Sequence, residues 1–388
     1  MISRTSSTSF ARQSAKTTDT MTQPDDQRWM ALALSLGTRG LGQTWPNPAV
    51  GCVIVKDGHL LARGWTQAGG RPHAEQHALS QIPEGAARSA TAYVTLEPCS
   101  HTGQTSPCAS ALIKAGLACV IVATGDPDPR VSGRGLAMLR EAGIEVVTGV
   151  LEDQARRDQQ GFLMRVTEGR PMVTLKLASS FDGRIATATG ESQWITGPQA
   201  RLQVQALRAR HDAVMVGGST AREDLPSLTL RGMGDRRQPV RIAVSAGLNI
   251  PTHGPLAEDD STAPVWLIHG PSAPQQALDF WGARGATLFE TPTGPSGLDM
   301  AHAMRALGQA GLTRILCEGG GSLAASLLAA GLVDHLVGFT AGVMLGAEGL
   351  PSLGRLKYPA LADAPRFALV ETRRMGEDVM HRWQRVAV

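Results

Sequence analysis

Residues 91–108 read Thr91-Ala92-Tyr93-Val94-Thr95-Leu96-Glu97-Pro98-Cys99-Ser100-His101-Thr102-Gly103-Gln104-Thr105-Ser106-Pro107-Cys108, and this stretch decides the fold. The apolar run Ala92–Leu96 predicts a buried strand. Pro98 and Pro107 suit turns that aim the following cysteine out of a loop. A helix is expected over Ala109–Ala115, so Cys108 stands at or just before its start. Upstream, His73-Ala74-Glu75 opens another expected helix, His73–Ser80. Further strands are expected at Ala49–Val55, Cys119–Thr124 and Ile144–Thr148, and further helices at Asp26–Leu36 and Gly135–Ala142. Strands spaced by helices describe an α/β layer architecture rather than a sandwich of sheets.

The same residues carry chemistry. One imidazole, His73, and two thiols, Cys99 and Cys108, form a normal zinc ligand set, and three protein ligands leave one position open for catalysis. Helix N-termini favour thiolate by their partial positive charge. A zinc ion there would bring the pKa of water to about 7. Glu75, two residues after His73, is placed to accept a proton and deliver it to a substrate. A structural zinc site would want a fourth protein ligand, and in this loop only His101 is at hand.

The pattern restarts beyond Gly169-Arg170-Pro171, after a polar helical stretch at Leu151–Val166. Strands are expected at Val173–Ala178, Ala213–Val216, Val240–Ser245, Val265–His269 and Arg314–Cys317. Helices are expected at Pro198–Arg210, Leu298–Ala310 and Leu323–Ala330. Asp334–Phe339 and Phe367–Val388 read as antiparallel strands at the sheet edge, and 246–264 and 270–297 as Pro- and Gly-rich loops. Three parts follow: an extension over 1–23, a zinc domain over 24–168 and a second domain over 169–388. Val216-Gly217-Gly218-Ser219-Thr220 and Glu318-Gly319-Gly320-Gly321-Ser322 each follow a strand. Either could cradle a phosphate or make a simple tight turn.

Charge and composition narrow the partners. The net charge of +3 resides in Arg4, Arg12 and Lys16 of residues 1–18, which contain no acid, so the rest balances to zero. A neutral body offers no basic footprint for nucleic acid. That weighs against a nucleic-acid base deaminase, and Glu75 would have no use in a zinc-stabilised binding module. No apolar run is long enough to span a bilayer. The Ser- and Thr-rich start is either a transit-like segment or a plain extension ahead of Met21. Cys52, Cys119 and Cys317 lie in apolar runs, which suggests free thiols and a cytoplasmic setting.

Eight residues separate Cys99 from Cys108, a longer insert than the usual deaminase signature H-x-E…P-C-x-x-C. Together with Pro46-Asn47-Pro48-Ala49-Val50-Gly51, His73-Ala74-Glu75-Gln76-His77-Ala78 and Asp126–Gly135, it resembles the deaminase domain of bifunctional riboflavin-biosynthesis deaminase-reductases. Lys176–Arg184 and Gly190–Thr196 look like the reductase half of that family. The resemblance implies a cytidine-deaminase-like three-layer α/β/α domain followed by a dihydrofolate-reductase-like α/β domain. It implies zinc on His73, Cys99 and Cys108, Glu75 as proton shuttle, and Asn47, His77 and His101 facing a phosphoribosyl pyrimidine. In the second half it implies NADPH contacts from Ser179, Trp194, Thr220, Asp224, Gly320, Gly321, Ser322, Leu323, Ala324, Ala325 and Ser326. Substrate contacts would come from Lys176, Ser192, Arg208, Leu228, Arg231 and Glu318, with the two arginines neutralising phosphate. A homo-oligomer, dimer or tetramer, is also implied. Three departures stand out: Gln104 where Arg or Lys is usual, Leu225 in Asp224-Leu225-Pro226, and Val244-Ser245-Ala246-Gly247 without its acidic step.

Overall fold

The computed structural model describes residues 24–101, 106–258, 263–294 and 297–386. The extension over 1–23 and Gln104 therefore lie outside the described residues. The first half runs α1 (Pro24–Gly37), β1 (Gly51–Lys56), β2 (His59–Trp65), α2 (Ala74–Leu79), β3 (Thr91–Val94), α3 (Cys108–Lys114), β4 (Cys119–Val122), α4 (Arg134–Glu141), β5 (Glu145–Thr148) and α5 (Glu152–Glu168). Its five-stranded sheet has the order β2-β1-β3-β4-β5. β1 is antiparallel to both β2 and β3, and β3, β4 and β5 are parallel.

Strand periodicity divides this sheet between two cores. Cys52, Ile54, Ala92, Val94, Val120 and Val122 face one side, packed with Ala74, Ala78, Ala109, Leu112 and Leu139 of α2, α3 and α4. Val53, Val55, Tyr93 and Ile121 face the other, against Met30, Ala33 and Leu34 of α1 and Ala155 of α5. The result is three α/β/α layers. Strand β2 is absent from the sequence expectation. Its solvent-facing edge residues break the apolar run, but the Asp57-Gly58 turn before it, with positive φ at both residues, is a hairpin signal.

The second half contains β6 (Met172–Ser180), β7 (Arg184–Ala186), α6 (Pro198–Arg208), β8 (Ala213–Gly217), α7 (Gly218–Asp224), β9 (Val240–Val244), α8 (Pro255–Glu258), β10 (Val265–His269), α9 (Gln275–Ala283), β11 (Thr287–Glu290), β12 (Thr293–Gly294) and β13 (Gly297–Leu298). It continues through α10 (Met300–Gln309), β14 (Arg314–Gly319), α11 (Gly321–Ala329), β15 (His335–Ala341), β16 (Leu350–Pro351), β17 (Phe367–Met375) and β18 (Asp378–Arg385). Nine strands form one sheet in the order β11-β10-β9-β8-β14-β6-β15-β18-β17. The pairings from β11 to β15 are all parallel. β18 and β17 close the far edge antiparallel.

Two expectations are corrected here. The segment from residue 334 does not lie at an edge, because β15 sits inside the sheet, parallel to β6 on one side and antiparallel to β18 on the other. The final stretch alone supplies the antiparallel edge, as two strands. The stretch 270–297 is no structureless loop, since it holds α9 and β11 and buries Trp281. Gly270, Pro271, Pro274, Gly285 and Pro292 lie between its short elements.

The two halves pack tightly. Gln43 exchanges hydrogen bonds with the Arg237 backbone, donating at 3.2 Å and accepting at 2.9 Å. The Arg237 guanidinium lies 4.2 Å from the Trp45 ring, which meets Trp266 edge-on. From α5, Arg165 Nε donates to the Gly308 carbonyl at 2.9 Å.

Candidate active sites

The zinc triad assembles from three separate segments. His73 is the extended residue before α2, Cys99 lies in the loop after β3, and Cys108 is the first residue of α3. The His73 Nδ1 atom stands 3.7 Å from Cys99 Sγ and 3.3 Å from Cys108 Sγ. Tetrahedral zinc with sulfur at about 2.3 Å and nitrogen at about 2.0 Å would set such atoms about 3.5 Å apart. All three ligand atoms lie within 4.8 Å of one another, and the Cys108 backbone N–H donates to Cys99 Sγ at 3.3 Å. The donor set and its spacing fit zinc. The thiols share protons unequally: a hydrogen bond from Cys108 pushes Cys99 down to about 4, and that same bond pushes Cys108 up.

Glu75 is 3% exposed, in the first turn of α2. Burial is the main cause raising its carboxyl to about 7, with the negative Cys99 adding to it. It borders a cavity of 320 Å³ shared with His73, Cys99, Asn47 and His101. Asn47 is fixed by donating to the Gly70 carbonyl at 2.9 Å. His77 is placed elsewhere. Its ring meets Trp65 edge-on, and Nδ1 lies 2.9 Å from Gln67 Nε2, so it braces a turn outside the cavity lining.

Sequence reasoning missed the far wall. Glu97 is 5% exposed and accepts from the Gly133, Gly135 and Asp126 backbone N–H groups at 3.0, 3.1 and 3.4 Å. A Cβ at Gly135 would lie 2.0 Å from the Pro98 carbonyl, so only glycine lets α4 approach the ligand loop this closely. Asp126, Arg130 and Arg165 complete that wall. The sequence held a signal for the first two, in Asp126-Pro127-Asp128-Pro129-Arg130. It held none for Arg165, on a helix read only as a linker.

In the second half, β6 and β8 leave β14 between them, so successive connections depart in opposite directions. Such a switch point, at the carboxyl ends of parallel strands, is where open α/β sheets bind ligands. Lys176 lies inside β6, not at a strand end reaching solvent, one step beyond the Leu175–Cys317 pair. Burial pulls its amine below the ordinary lysine range, opposed by Glu318. Burial alone would raise Glu318, but the Arg208 guanidinium outweighs it and holds the carboxyl low.

Arg208 donates from Nε and Nη2 to Glu318 at 2.5 and 2.8 Å, and from Nη1 to the Thr229 carbonyl at 2.9 Å. Three of its five N–H groups are engaged in this way, so the guanidinium is anchored beside Glu318 with one N–H left on each of Nη1 and Nη2. Arg231 keeps an exposed side chain. Leu228 is buried in the core, leaving only its backbone for a ligand.

Gly320 adopts φ +91°, and a Cβ there would lie 3.2 Å from Thr220 Oγ1, so the starts of α7 and α11 abut. Gly320, Gly321, Ser322 and Ser326 remain accessible, whereas Leu323, Ala324 and Ala325 point into the core. Ser179 and Thr220 are half-buried near the same strand ends, and Asp224 and Leu225 are exposed at the end of α7. Ser245 Oγ accepts from the Asn249 backbone N–H, so the segment lacking an acid forms a capped turn. Ser192 is half-buried, and Trp194 is exposed against the Arg201 guanidinium at 4.6 Å.

These features define a two-domain enzyme with a zinc-binding deaminase half and a reductase half. Residues 23–124 match the cytidine and deoxycytidylate deaminase zinc-binding region, and residues 171–381 match the RibD C-terminal domain. The riboflavin biosynthesis protein RibD of Escherichia coli K12 is 43% identical over 91% of this chain and 98% of that protein. Its Haemophilus influenzae counterpart is 42% identical over 90% and 95%. The solved structure of Acinetobacter baumannii RibD superposes with a TM-score of 0.83 at 38% identity, covering 93% of this chain and 99% of that one. A Thermotoga maritima diaminohydroxyphosphoribosylaminopyrimidine deaminase/5-amino-6-(5-phosphoribosylamino)uracil reductase gives 0.80 at 31%, with the same coverage. The chain belongs to the RibD family, the bifunctional deaminase-reductases of riboflavin biosynthesis. No helix among the described residues is long and apolar enough to cross a membrane.

Proposed function

We propose that this chain deaminates 2,5-diamino-6-(5-phosphoribosylamino)pyrimidin-4-one and then reduces the ribosyl group to ribityl, giving 5-amino-6-(5-phosphoribitylamino)uracil. The observation that carries this is the buried Glu75 beside a complete three-ligand cluster, on one chain with the Lys176–Glu318–Arg208 crevice. The activities printed for the Thermotoga relative support the same pair of steps.

His73, Cys99 and Cys108 would hold one zinc ion per chain, and zinc held by three ligands supplies a Lewis acid that acidifies water. Glu75 takes the proton released as water attacks the amine-bearing ring carbon. It passes that proton to the ring nitrogen, then carries the remaining hydroxyl proton of the adduct to the amino group, which leaves as ammonia while the ring carbonyl forms. Asn47 and His101 orient the pyrimidine. We assign His77 to bracing the Trp65–Gln67 turn.

NADPH would supply the hydride for the second step. Ser179, Trp194, Thr220, Asp224 and the accessible atoms of Gly320–Ser326 would hold it over the strand ends. Lys176 polarises the reacting centre, and the Arg208–Glu318 pair keeps that amine in place. Arg231, Ser192 and the Leu228 backbone are left to bind the ribosyl phosphate.

All five cysteines are unpaired, which supports a reducing, cytoplasmic setting. A dimer or tetramer is the assembly we expect, and light scattering measures it. The function is tested by following ammonia and NADPH on one preparation with its zinc measured. NADPH oxidation should begin only after ammonia appears. Oxidation without prior ammonia release would overturn the order of steps.

A further inference from the structure

The deaminase cavity is bordered by three arginines: Arg71, Arg130 and Arg165. Their availability differs. Arg130 is committed to Asp128, donating from Nε at 3.0 and 3.1 Å and from Nη2 at 2.5 Å, and its side chain is 72% exposed. Arg71 has a partner of its own. Arg165 is half-buried on α5, an element that carries none of the zinc ligands. Its only hydrogen bond runs from Nε to the Gly308 carbonyl of α10, so Nη1 and Nη2 have no partner among the described residues.

A guanidinium held at one edge and open at the other presents a fork that matches phosphate oxygens. Among the described residues no carboxylate is hydrogen-bonded to that fork in Arg165. Burial lowers its affinity for a proton, and Arg130 adds to that, with Asp128 and Asp212 only partly opposing. Asp212 itself accepts from the Thr313 and Arg314 backbone N–H groups and the Thr313 hydroxyl. Among the acids on the cavity wall, Glu97 is filled by three backbone N–H groups and Asp128 by Arg130.

We infer that Arg165 binds the phosphate of the deaminase substrate, held in position for it by the Gly308 carbonyl of the second domain. The inference rests on the reading above that this substrate is a phosphoribosyl compound. It makes the first active site depend on the second domain for its phosphate specificity. The base-reacting residues come from the first domain alone.

The test uses full-length, zinc-loaded protein and two substrates, the phosphorylated pyrimidine and its dephosphorylated form. In the wild type the phosphorylated form should have the lower KM for ammonia release. R165Q should raise that KM roughly 10- to 100-fold, the scale of one or two charge-assisted hydrogen bonds. Its kcat should stay within about threefold, and its KM for the dephosphorylated form should not change. R165K should recover part of the loss. Binding of both compounds to E75Q and to E75Q/R165Q, measured by calorimetry, gives the same comparison without turnover and reports misfolding through the dephosphorylated compound. A phosphate preference that survives in R165Q, or an equal loss for both compounds, overturns the assignment. Wild-type protein that binds both but releases no ammonia would overturn the proposed deamination and leave the Arg165 comparison standing.

Discussion

Glu75 and Glu318 are both acids withdrawn from water, and the protein treats them in opposite ways. Glu75 is buried beside thiols, so desolvation and a neighbouring negative charge raise its carboxyl to about 7. Glu318 is buried against a guanidinium that binds both its oxygens, which holds the carboxyl low. A carboxyl poised near neutrality exchanges protons readily, as a shuttle must. A carboxylate locked in a bidentate pair does not. It works instead as a fixed charge that orients Arg208 and steadies Lys176. In the function proposed above, the first domain uses its buried acid for chemistry, and the second uses its acid for architecture.

Glu75→Gln should produce the largest effect and confine it to one half. Ammonia release should fall about 10²- to 10⁴-fold, the range of a lost general acid–base group. Zinc content should be retained, and reduction of a supplied deaminated intermediate should be unchanged. Melting temperature should hold or rise slightly, because the amide is cheaper to bury than the carboxylate. Substantial ammonia release by this variant would remove Glu75 from the shuttle role.

Glu318→Ala should show the opposite profile. Removing one partner leaves Arg208 buried and unpaired, a cost of about 3–5 kcal/mol. For a domain of this size that lowers the melting temperature by roughly 10 °C. Deamination measured below the transition should persist. An unchanged melting temperature would show that water already replaces the carboxylate, and the contrast with Glu75 would fail.

Lys176→Met keeps the stem and removes the charge. NADPH oxidation should fall about 10²-fold, as when one stabilising donor is lost, with ammonia release intact. If both activities fall together, Lys176 serves folding and not the reacting centre.

The contrast also explains how much could be read from the chain alone. The His73, Cys99 and Cys108 cluster and the neighbouring Glu75 were legible because these are distinctive residue types in short local motifs. The α/β layer architecture was legible from strand–helix alternation, and the resemblance implied its three layers. The Lys176–Glu318–Arg208 cluster joins residues up to 142 positions apart through the parallel pairing of β6 and β14. No local spacing encodes that register, so the resemblance named these residues without showing that Arg208 would face inward. His77 failed for a related reason: its position one turn after His73 fixes its helix, but Trp65 and Gln67, on another element, decide what it touches. Edge strand β2 and the 270–297 elements were missed because half-exposed short segments lack an apolar run.

The smallest effect concerns pH, and it extends the rule that burial sets charge to histidines that do no chemistry. His211 lies between the Leu207 carbonyl and Thr174 Oγ1, at 2.7 and 2.9 Å, and burial drives it down to about 3. His335 contacts Gln160 of α5 and is driven down to about 4, again chiefly by burial. Each folded pKa is below the unfolded value of about 6.5, so between these values the unfolded chain binds more protons. Their stabilising contribution is therefore complete above about pH 6.5 and is lost as pH falls toward 4. The loss approaches about 1.4 kcal/mol per pH unit for each histidine. Urea unfolding at pH 7.5, 6.0 and 5.0 should show this decline, and His211→Gln should flatten it by about half. A slope unchanged in that variant would mean that His211 is protonated in the folded protein despite its burial. The matched hydrogen bonds around it would then have to include an acceptor for a second proton, which neither Leu207 nor Thr174 excludes by geometry alone. The variant's slope, and not its absolute stability, is therefore what decides whether the buried imidazole is neutral.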